Sequence, residues 1–126
     1  MKSVPLMQNL QNIYLIEEAR TKIILGSKCL RFFNRDIEFW QIGMILHRSA
    51  PHGINGVNHL IRQIENRRLS EATIFSFLKD ATALGYLDKQ IGDKKNRYVV
   101  RLAGEAITGF DQLFVQTMKI LEDART

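Results

Sequence analysis

The stretch SEATIFSFLKDATALGYLDKQIGDKKNRYVVRL, residues 70–102, decides the fold. Ile74, Phe77, Leu78, Ala81 and Leu84 recur at the three- and four-residue spacings of one helix face. Ser70 precedes them as an N-cap, whose hydroxyl takes an orphan N–H of the first turn. Gly85 stands where a left-handed C-cap would end that helix. Beyond it, YLDKQI and RYVVRL are rich in β-branched and aromatic residues and are separated by GDKKN, a turn-forming cluster with two lysines. The expectation is a helix that runs directly into a β-hairpin with a basic tip. Tyr98, Val100 and Leu102 alternate with Val99 and Arg101, so one face of the second strand packs inward and Arg101 turns out.

Working outward, Val57, Leu60, Ile61 and Ile64 predict a shorter helix upstream, with Asn55 as its N-cap. Before it, DIEFWQIGMILHRS (36–49) is apolar on nearly every side, has Asn34 or Asp36 as its N-cap, and is ended by Pro51 and Gly53. Residues from about Leu6 to Phe33 read as one long helix through Leu10, Ile13, Ile16, Ile23 and Leu30. The chain closes on EAITGFDQLFVQTMKILEDA, a helix with Phe110, Leu113, Phe114 and Leu121 on one side. Four helices, a hairpin and a last helix give a mainly α fold with a small β-hairpin, the sequence image of a winged helix-turn-helix. At 126 residues the chain suits one domain. The expected plan is an N-terminal helix in 1–33, the winged helix-turn-helix in 34–103 and a short C-terminal helix in 104–126, the outer two serving dimerisation.

The charge has a place in this plan. The whole chain carries a net +5. From Arg62 to Arg101 there are nine bases and five acids, so most of the excess sits in one third of the chain. A polyanionic partner fits that distribution. The single cysteine, Cys29, excludes an internal disulfide or a cysteine zinc cluster and suits a reducing compartment. Gln8, Asn9, Gln11 and Asn12 interrupt any signal-peptide core, and no run approaches the length of a membrane span. A cytoplasmic protein is expected.

On these residues the chain resembles the MarR family of bacterial transcription regulators. FWQIGMILHRS (39–49) is similar to the family's aromatic-led second helix, SEATIFSFLKDATALGYL (70–87) to its recognition helix, and DKKNRYVVRL (93–102) to its wing. The match covers most of the chain in order. Three features depart from the pattern. IENRRLS (64–70) is longer than the usual turn before the recognition helix, LAGEAI replaces a longer linker, and the C-terminal helix is short.

With its apolar stripe inward, the fourth helix would present Ala72, Ser76, Lys79 and Ala83, flanked by Thr73 and Phe75. Small residues let a helix sit deep in the major groove, and hydroxyls can meet base edges or phosphates. The expected DNA contacts are Arg67, Arg68, Ser70, Thr73, Ser76 and Lys79, with Lys94, Lys95 and Arg97 at the minor groove. Phe75 could touch a thymine methyl, but packing against the neighbouring helix is the favoured role. No Arg, Asn or Gln on that helix offers bidentate base reading, so its direct readout is modest. Leu10, Ile13, Phe114 and Leu121 are the expected homodimer contacts, with completion of a monomer core as the alternative.

His47, His52 and His59 lie on different elements without companions that would make a metal site, and Cys29 reads as a small core residue. No catalytic elbow, phosphate loop or dinucleotide fingerprint is present in the sequence. Neither an enzyme nor a bound cofactor is expected. Two functions stay open: a homodimeric regulator that binds double-stranded DNA, with a small-molecule effector in a crevice between the dimer helices and the winged domain, and a winged-helix module that binds an acidic protein without binding DNA.

Overall fold

The structure is a computed structural model and describes residues 3–91 and 98–124. The order of elements is α1 (Ser3–Leu25), α2 (Lys28–Phe33), α3 (Ile37–Arg48), β1 (Ile54–Asn55), α4 (Val57–Arg62), α5 (Glu71–Ala83), β2 (Leu87–Ile91), β3 (Tyr98–Leu102) and α6 (Glu105–Ala124). The predicted single helix over residues 6–33 is therefore two. Gly26, a poor helix former, is followed by Ser27, whose Oγ accepts from the Leu30 N–H at 3.1 Å and starts α2 afresh. The apolar spacing that suggested continuity carries across the break because Leu30 and Phe33 are buried in the same core.

Of the two caps expected before the next helix, Asp36 takes the role: its Oδ1 accepts from the Glu38 N–H at 2.8 Å. Asn34 instead closes α2, its N–H donating to the Leu30 carbonyl at 2.9 Å. The cap of α4 is Gly56, with φ of 94°, and not Asn55. Asn55 belongs to β1, a two-residue strand that periodicity could not reveal, and pairs with Val99. The sheet is antiparallel in the order β1-β3-β2, with Leu87 opposite Leu102 and Asp88 opposite Arg101. Val100 and Leu102 are buried as the alternation predicted, whereas Tyr98 is exposed. Gly85 adopts φ of 82°, the left-handed turn that ends α5 and admits β2.

Rings from several elements lock α5 in place. Phe39 of α3 stacks on Phe77 of α5 with centroids 4.0 Å apart. Phe33 of α2 meets Phe77 and Phe110 edge-on, at 5.5 Å each. Such edge-to-face contacts add to what area burial alone contributes. Gly43 lets α3 approach α6, since a methyl there would collide with the Phe110 ring. Along the far side, α1 packs against α6.

Candidate nucleic-acid interface

The inner face of α5 is Ile74, Phe77, Leu78 and Ala81, all buried, which fixes what points away from the core; Leu84, expected in the same stripe, is instead the C-cap residue and is exposed. Ala72, Thr73, Ser76, Lys79 and Ala83 are exposed, as the sequence predicted. Ser70 is the N-cap: its Oγ accepts from the Thr73 N–H at 3.1 Å and lies 2.9 Å from Thr73 Oγ1. These two hydroxyls hold one another, while the Ser76 side chain stands open to solvent further along the same face. Phe75 corrects the sequence reading, because it is 43% exposed and so is not packed away against a neighbouring helix.

The turn before α5 is built from α3. The Glu38 side chain is 2% exposed, and among the described residues it is the buried charged group. Its carboxylate accepts from the Arg68 N–H at 2.9 Å and from the Leu69 N–H at 3.1 and 3.2 Å. One helical turn along, the Gln41 carboxamide accepts from the Glu65 N–H at 2.8 Å and donates to the Glu65 carbonyl at 3.2 Å. Between these anchor points Asn66 turns the chain with φ of 52°, in the left-handed region that asparagine tolerates better than most side chains. Arg67 and Arg68 are exposed on this turn. Arg67 donates from Nη1 to the Leu69 carbonyl at 2.8 Å, so part of its guanidinium is already engaged.

Arg35 was not singled out from the sequence. Its guanidinium lies 4.3 Å from the Phe32 ring centroid, and its Nε donates to the Phe32 carbonyl at 3.1 Å. It borders a groove of about 590 Å³ that continues along Asp36, Phe39, Thr73, Ser76 and Asp80. Arg101, expected to face out, is tied to Asp88 across the strands at 2.6 Å. Lys94, Lys95 and Arg97 lie outside the described residues.

Leu10, Ile13 and Leu121 are exposed apolar side chains on α1 and α6, joined there by Tyr14, Leu15 and Met118. Phe114 differs from them: it is half-buried against the core, with its ring 5.2 Å from that of His47. His47 Nε2 lies 2.6 Å from Asp111 Oδ1, and this pair borders a crevice of about 480 Å³ together with Phe114, Val115, Met118 and Lys119. Among the described residues no three His, Cys, Asp or Glu side chains come together as a metal site, and no helix is long and apolar enough to cross a membrane. Cys29 is 2% exposed, and burial, reinforced by the Glu105 charge, pushes its thiol up to about 12.

No family model and no curated protein matches the sequence. Solved structures do match the fold. NadR in complex with 4-hydroxyphenylacetate superposes with a TM-score of 0.58 at 11% identity, over 98% of this chain and 77% of that one. A protein described as a MarR-like transcription regulator from Bacillus cereus ATCC 10987 superposes with a TM-score of 0.51 at 16% identity, over 98% of this chain and 82% of that one. The chain has a MarR-type winged-helix fold.

Proposed function

We propose that this chain is a sequence-specific double-stranded DNA-binding transcription regulator, acting in a bacterial cytoplasm as a homodimer of single-domain protomers. The observation that carries the reading is the outer face of α5, small and hydroxyl-bearing, following directly on a turn that presents Arg67 and Arg68. α5 enters the major groove, Arg68 and the free part of Arg67 meet backbone phosphate, and Lys94, Lys95 and Arg97 reach the minor groove. Exposed Phe75 is available to a thymine methyl. Leu10, Ile13 and Leu121 supply the dimer contacts, with Phe114 supporting them from the core side.

A small-molecule effector occupies the crevice between α3 and α6. Its apolar wall of Phe114, Val115 and Met118, with His47, Asp111 and Lys119 at its rim, suits a small ligand with an aromatic body and a polar end. The structural neighbour bound to 4-hydroxyphenylacetate supports a ligand of that kind.

Binding to a pool of duplex DNA, followed across salt concentrations, tests the reading. A steep linear fall of log K with log salt is expected. The Lys94→Ala/Lys95→Ala/Arg97→Ala variant should flatten it by about 0.9 for every phosphate those side chains neutralise in the wild type. No duplex binding by the wild type at low salt would reject the regulator and leave the protein-interaction module.

A further inference from the structure

A carboxylate withdrawn from water costs several kcal/mol unless hydrogen bonds replace its hydration, yet α3 carries one at Glu38 where an apolar residue would fill the same space. The hydrogen bonds it receives come from the backbone of the turn leading to α5, thirty residues further along the chain. Gln41 lies on the same face of α3, three positions on, and pairs with Glu65 in both directions, as one strand pairs with another. The turn over residues 63–70 is therefore held at both ends by side chains of α3, with left-handed Asn66 between them.

We infer that Glu38 and Gln41 are positioning residues for DNA binding: together they clamp the long turn onto α3 at the entrance to α5 and aim Arg68 at phosphate. The inference rests on the DNA-binding reading above. It also accounts for a turn longer than a compact helix-turn-helix requires. Free in water, those extra residues would let the Arg67–Arg68 segment swing; bonded to α3, they hold it. Arg68 is the residue most directly affected, since its own N–H is one of the clamped groups while its side chain is exposed.

The test uses Glu38→Gln, which keeps the shape and one acceptor oxygen, and Gln41→Ala, at a partly exposed position. Both are compared with the wild type and crossed with Arg68→Ala. Amide hydrogen exchange read residue by residue should show protection falling at least tenfold at Arg68 and Leu69 in Glu38→Gln, and at Glu65 in Gln41→Ala. Duplex affinity at low salt should fall about tenfold, and the salt slope should drop by about 0.9, the share of one phosphate. Adding Arg68→Ala to Glu38→Gln should change the slope no further, because Arg68 has already left its phosphate.

Unchanged protection in the variants would show that the clamp does not hold the turn. Reduced protection with wild-type affinity and slope, or slope changes that simply add, would reduce both residues to a structural role. If Glu38→Gln fails to melt cooperatively, Gln41→Ala carries the same measurements. Wild-type protein that binds no duplex overturns the DNA reading and the positioning role together, while the exchange data still report whether the clamp exists.

Discussion

Cys29 shows how burial alone sets the chemistry of a residue. Its thiol is held protonated well above the ordinary value near 9, up to about 12, by burial first and the Glu105 charge second. A thiol that stays neutral is a poor nucleophile and a poor redox sensor. The sign of the pH dependence follows: as pH rises through 9 the unfolded chain releases this proton and the folded one does not, so stability is lost between about pH 9 and 12. Inside that window this group makes stability fall steadily as pH rises. Cys29→Ala should flatten the alkaline limb in denaturant melts; an unchanged limb would place the thiol in contact with water. Tyr86, raised in the same surroundings by burial, Cys29 and Glu105, contributes to the remaining slope. Glu38 illustrates the limit of reading residues from sequence. It looks like an ordinary acid in the first turn of a helix, and its partners are amides far along the chain, which no local pattern announces.

At the scale of elements, the stripe of α5, its Ser70 cap, the turn at Gly85 and the hairpin strands were legible, because each depends on periodicity or a single special residue. The break at Gly26–Ser27 was hidden because the apolar spacing runs through it. β1 was hidden because two residues have no period. Gly43 was also silent in sequence, since its role depends on a ring from α6. Gly43→Ala should destabilise the protein by about 1–3 kcal/mol through overpacking. Phe110→Leu in the same chain should relieve part of that destabilisation, a coupling that urea denaturation of the four-variant cycle would measure. Additive effects would mean that α3 and α6 do not meet through these two residues.

At the scale of the molecule, the apolar residues on α1 and α6 separate into two groups. Leu10, Ile13 and Leu121 are exposed, whereas Phe114 leans into the core. Light scattering is expected to give a dimer for the wild type and a monomer of unchanged melting temperature for Leu10→Glu/Ile13→Glu. Phe114→Ala should instead lower the melting temperature. A monomeric wild type would remove the homodimer from the proposal.

The smallest element has consequences well beyond its length. Ile54 and Asn55 pair with Val100 and Val99, and the Gly56 N–H donates to the Tyr98 carbonyl at 2.8 Å, so the segment entering α4 is sewn to the central strand of the sheet. The sheet and the helix pair therefore keep a fixed bearing in the free protein. For the proposed regulator, little orientational entropy remains to be lost between them when a duplex arrives. Encounter then has one angular condition to satisfy, that of the whole body against the helical pitch of DNA, and not two in succession.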